Sequence, residues 1–165
     1  MSIVHLHLLL NHFPVLGVLF VTLLLLLALV RRSNELARLS LVSLAIVGVI
    51  SILVFFTGEP AQEAIEHLPG FSERLVDRHE DAALAATIVT GCVGALALSA
   101  LIVYRRRTLP RWLTLFVFVA AVGATGLMGY TANLGGQIRH TEIRSTSAIG
   151  GAGSSDTPQR EPHER

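Results

Sequence analysis

Four stretches of the chain carry no Asp, Glu, Lys or Arg: residues 1–30, 39–58, 82–104 and 112–138. Each is at least 20 residues long, and ~20 apolar residues rising 1.5 Å apiece cross a bilayer core of ~30 Å. A helix satisfies its own backbone polar groups, which lipid cannot do for it. A soluble helical bundle would need a polar stripe on each helix, and none of the four runs has one. The sequence therefore predicts an all-α, polytopic membrane protein with four transmembrane helices in an antiparallel bundle. The expected helices cover about 12–30, 36–57, 79–104 and 112–135, with an outer loop at 58–78 carrying a short helix from Pro60 to His67.

Composition sharpens this. Only 15% of residues are charged, against about 25% in a soluble domain. Thirteen basic residues, all Arg, face twelve acids for a net charge of +1. A disordered chain and a basic nucleic-acid binder are both excluded. The single Cys92 can neither close an intramolecular disulfide nor build a zinc-thiolate cluster. The first apolar run is expected to stay in the protein, because it lacks a basic leader, is too long for a signal, and is stopped by Arg31-Arg32. Pro14 is expected in the first turn of that span, where a missing N–H costs nothing, with residues 4–12 as a separate turn or kinked extension. The membrane domain is thus 1–143, followed by a Gly/Ser-rich tail at 144–165 that has nothing to bury and reads as disordered.

Arginine placement sets the expected orientation. Arg31, Arg32, Arg38, Arg105, Arg106, Arg107 and Arg111 fall in the two connections on one side. The long loop on the other side is acidic, with Arg74 and Arg78 against Glu59, Glu63, Glu66, Glu73, Asp77, Glu80 and Asp81. The positive-inside rule puts the arginine loops in the cytoplasm. Both termini then lie outside, and the protein is expected in a bacterial cytoplasmic (inner) membrane as a multi-pass protein.

Histidine is distributed the opposite way. His5, His7, His12, His67, His79 and His140 all fall at outer helix ends or in the outer loop, and none lies in the arginine loops. His163, in the tail, is expected to be inert. At 1.5 Å per residue, His12 comes out near the outer edge of the hydrocarbon and the others just above it. Below His79, at helical spacing, run Ala82, Ala83, Ala86, Thr90 and Gly94; behind His140 run Gly136, Asn133 and Gly129. Imidazoles at the head of small-residue grooves suit axial ligation of haem, which needs a neutral ring aimed at the iron and room for the macrocycle. Such stripes also serve plain helix packing in membranes, and Ala83, Thr87, Gly91, Ala95 and Ser99 form another one.

Haem b is the first cofactor expectation, with His12, His79 and His140 as leading ligands and His7 next. Copper or zinc is the alternative, drawing in His5 and His67; neither HExxH nor compact ligand spacing is present. A covalently attached c-type haem is excluded, because CxxCH is absent. No acid lies inside the spans, which argues against a proton-driven transporter.

The segment His7-Leu-Leu-Leu-Asn-His12-Phe13-Pro14 resembles the N-terminal His-Pro-x-x-x-His-Phe-Pro signature of a family of small, predicted four-helix bacterial membrane proteins of unknown function. Leu8 stands where that family usually has Pro. The family's histidine near the outer start of the third helix corresponds to His79. Its Gly-Gly motif with a following histidine corresponds to Gly135-Gly136 and His140. The resemblance spans roughly residues 5–143. It implies haem b binding and work beside periplasmic c-type cytochromes.

The resulting expectation is an integral membrane haem b-binding electron-transfer subunit, non-catalytic by itself, with its histidine site at the outer face. Its partners would be the lipid bilayer, quinol, c-type cytochromes and other membrane subunits, and no nucleic acid. Glu80 and Asp81 would receive protons from a quinol donor. The rival readings are a cofactor-free structural or assembly subunit and a membrane metal-binding protein.

Overall fold

The structure, a computed structural model, describes residues 3–64, 66–67 and 72–139. These form six helices: α1 (Ile3–Leu10), α2 (His12–Arg31), α3 (Asn34–Phe55), α4 (Gly58–Glu63), α5 (Glu73–Val103) and α6 (Arg111–Arg139). Four segments are long and apolar enough to cross a membrane: Val4–Arg31, Asn34–Phe55, Glu73–Val103 and Arg111–Ile138.

The bundle is read most directly from the spacing of its buried residues. They recur at alternating steps of three and four: Pro14, Val18, Val21, Leu25 and Ala28 on α2, and Ala86, Thr90, Val93, Ala97 and Ala100 on α5. This is the 3.5-residue seam of helices that cross at shallow angles. Around the bundle α2 packs on α3, α3 on α5, α5 on α6, and α6 back on α2. Large side chains such as Phe20, Leu23, Ile46, Leu53, Ile88 and Phe116 point outward instead. An apolar coat over an alanine-rich interior is stable only in hydrocarbon, so the chain is a multi-pass membrane protein.

Where α3 meets α5, small residues set the approach. A Cβ built on Gly94 would lie 3.1 Å from the Leu44 carbonyl oxygen and 3.3 Å from the Gly48 Cα. Neither backbone atom can yield cheaply. Thr90 and Gly94, expected from the sequence to floor a ligand groove, thus serve helix contact. Between α2 and α6 the hydroxyls of Thr22 and Thr125 meet at 2.9 Å.

The connections alternate between two ends. The arginine end holds the α2–α3 and α5–α6 turns. Here Arg38, expected as an orienting loop charge, sits in α3 and donates to the carbonyls of Tyr104 and Arg107 at 2.6 and 2.5 Å. Asn34 Oδ1 accepts the Leu109 N–H at 2.8 Å, joining the two turns.

The histidine end is built by α1, α4 and the first turns of α5. Pro14 cannot donate to the Leu10 carbonyl, and the chain breaks there into α1 and α2, with Asn11 still in a helical backbone conformation. Packing against both α2 and α4, α1 rims this end. The short helix of the loop is Gly58–Glu63, two residues earlier than expected and shorter. At the start of α5, Ser72 has extended N-cap backbone angles but makes no side-chain capping bond. The last helix was expected to stop at about 135, yet α6 continues through Gly135 and Gly136 to Arg139.

Candidate functional site

Two histidines from different helices face one cavity at this end. His7, on α1, and His79, on α5, both line a space of about 520 Å³. That is within the size range of pockets that take small molecules and cofactors. Most of its wall is apolar, from Val15, Val54, Phe55, Ala83, Ala86 and Met128. Ala85, one residue from this wall, is exposed on the outside of α5.

Hydrogen bonds fix the tautomer of each ring. His79 Nδ1 lies 3.0 Å from the Thr131 carbonyl, which can only accept, so Nδ1 carries the proton. His7 Nδ1 lies 2.8 Å from Thr57 Oγ1. That hydroxyl gives its own proton to the Val54 carbonyl at 2.6 Å, so it accepts from His7. In the neutral form of each ring Nε2 then keeps its lone pair, and neither Nε2 has a hydrogen-bond partner among the described residues. A histidine held through one nitrogen by a carbonyl or hydroxyl, with the other free, has the form of a metal ligand backed by its orienting partner.

Close packing holds the His79 ring in place. A Cβ on Gly135 would come within 3.1 Å of His79 Cε1, so the absence of a side chain there lets the ring lie against α6. Ser51 Oγ, on the cavity wall, is buried without a hydrogen-bond partner among the described residues. Glu59 and Glu80 add carboxylates to the wall, and Asn11 and Gln62 add amides. Asp81, which the sequence paired with Glu80, is exposed and not on the wall.

The other sequence candidates lie elsewhere. His12 is exposed, does not line the cavity, and gives its Nδ1–H to the Leu8 carbonyl at 2.7 Å beside the α1–α2 break. His5 is exposed on α1 and also off the wall. His67 is exposed and pairs with its neighbour Glu66 at 3.4 Å. His140 and His163 lie outside the described residues. The face counted back from His140 looks outward: Cβ atoms on Gly129 and Gly136 would meet nothing within 4 Å, and Asn133 is exposed. Sequence reasoning overlooked Thr57, the Thr131 carbonyl and Gly135's contact with His79. A threonine two residues after Phe55 carries no signal of its own, and a backbone acceptor has none at all.

Among the described residues no three His, Cys, Asp or Glu side chains group as a metal site. A bare zinc ion takes about four protein donors, more than this pair supplies. Haem brings its own four equatorial nitrogens and asks the protein for one or two axial ligands. Two lone imidazoles in a roomy apolar cavity fit that division of labour. No family model, curated protein or solved structure matches the chain.

Proposed function

We propose that the protein is an integral membrane haem b-binding electron-transfer subunit, with His7 and His79 as the residues that would hold the haem iron. The observation that carries this reading is the pairing of two imidazoles in one cavity, each with Nδ1–H engaged and Nε2 free. Haem bound there supplies one-electron redox chemistry. The chain's part is to hold the rings, exclude water with Val15, Val54, Phe55 and Met128, and keep Ala83 and Ala86 small where a flat macrocycle needs room. Asn11 and Gln62 offer amide donors to carboxylates on the ligand's rim. Glu59 and Glu80 give protons released by a quinol donor a place to go. The acidic, histidine-bearing end would face the periplasm by the positive-inside rule, within reach of a c-type cytochrome.

The resemblance to the four-helix bacterial family points the same way and assigns this work to an inner-membrane protein. Its motifs carry His7, His12, His79 and His140, and of these the cavity is lined by His7 and His79 among the described residues. The test is purification in mild detergent followed by oxidised and dithionite-reduced spectra. Wild type and His12→Ala should show a Soret band that sharpens and shifts on reduction, and His7→Ala and His79→Ala should lose or strongly alter it. A colourless wild type that also takes up no added haem, with or without bound copper or zinc, would sink the reading.

A further inference from the structure

At the arginine end a second cavity of about 230 Å³ opens where α2 ends and where α3 and α6 begin. Arg32 and Arg111 are on its wall, with Ser33 and Thr108. These two guanidiniums differ from that of Arg38, which spends its donors on two backbone carbonyls. Neither Arg32 nor Arg111 has an ion-pair or side-chain hydrogen-bond partner among the described residues. The one acid near them in the described chain is Glu35, which is exposed and not on the wall.

Three further features favour an anion here. Both α3 and α6 start at the cavity and bring two positive helix ends, while α2 ends there and brings one negative end, leaving the helix-end field net positive. The bond from Leu109 N–H to Asn34 Oδ1 holds those two starts together. Arg32 itself has φ 51 and ψ 35, and it is the sole non-glycine residue with positive φ among the described residues. Glycine is the residue that this C-terminal position favours locally, yet an arginine occupies it and contributes to the wall. Depth is set by the neighbours: Trp112 is 66% exposed next to Arg111, as expected of an aromatic residue at the headgroup level.

The geometry points to a phosphate site that takes the headgroup of an anionic phospholipid from the adjoining leaflet. Guanidinium forks match phosphate oxygens, and basic pockets between membrane helices suit anionic heads. A phosphatidylcholine head would bring a quaternary ammonium among arginines and is disfavoured. This inference stands independently of the histidine cavity.

The experiment reads lipid retention and thermal stability of the full chain in nanodiscs of pure phosphatidylcholine or of phosphatidylcholine with phosphatidylglycerol. Wild type should be stabilised by phosphatidylglycerol and keep it through detergent exchange. Arg111→Gln and Arg32→Gly should each weaken retention by about tenfold or more, the loss expected of a charged hydrogen bond. Because glycine suits the backbone at position 32, that variant should fold at least as well as wild type. Arg105→Gln lies off the wall and removes an equal charge, so it should change retention by no more than about fivefold. Equal losses in all three variants, or full retention in Arg32→Gly, would overturn the site. Stabilisation of wild type in pure phosphatidylcholine by inorganic phosphate, equal to that by phosphatidylglycerol, would overturn the lipid as its source.

Discussion

His79 and Gly135 are the residue pair on which the site turns. A methyl on Gly135 would stand 3.1 Å from the His79 ring, so Gly135→Ala must push the imidazole by a few tenths of an ångström. Its neighbour is open: a Cβ on Gly136 meets nothing within 4 Å. Gly135→Ala should shift or broaden the haem bands while Gly136→Ala leaves them unchanged, which absorption spectra of the two variants decide. Thr57→Val removes the acceptor that fixes the His7 tautomer. Losing such an orienting partner lowers metal affinity about 10–100-fold, measurable by haem titration. The sequence gathered the histidines at one end but could not choose among them. Rotation about a helix axis separates His7 from both His5 and His12, which residue counting does show. Which of the three faces the cavity depends on how α1 packs on α2 and α4, and counting residues does not reach that.

At the level of elements, the α3–α5 crossing and the α2–α6 contact make opposite predictions about size and polarity. Gly94→Val would drive a branched side chain into the Leu44 carbonyl and Gly48 Cα. Overpacking of this kind costs about 1–3 kcal/mol, and here it should splay the two helices. Thr22→Val keeps the volume and deletes a hydroxyl that meets Thr125 across the interface and the Val18 carbonyl within α2; an interhelical hydrogen bond in membrane bundles averages about 0.6 kcal/mol. Reversible unfolding in mixed detergent micelles should rank Gly94→Val well above Thr22→Val, and equal effects would contradict the packing described. Helix existence was legible because lipid forbids charge over a whole span. The faces were less so: a small-residue stripe reads the same whether it lines a cavity, as at Ala83 and Ala86, or meets a neighbouring helix, as at Gly94 and Gly48. Helix ends were also hard to place, since Gly135-Gly136 stays helical in an apolar setting that punishes unsatisfied backbone.

The whole molecule is polarised, with seven arginines in or beside the two turns at one end of the bundle and the histidine cavity at the other. A reporter fused after Arg107 should behave as cytoplasmic, and a cysteine in place of His67, in a Cys92→Ser background, should react with an impermeant reagent from outside. The reverse pattern would turn the cavity toward the cytoplasm and remove a periplasmic partner. On the proposed function, His7 and His79 would hold one haem iron together. Electron paramagnetic resonance of the oxidised, haem-loaded protein tests it directly. Two axial imidazoles predict a low-spin ferric signal that turns high-spin in both His7→Ala and His79→Ala and persists in His12→Ala. A low-spin signal indifferent to either cavity histidine, or a wild type that is high-spin, would contradict it.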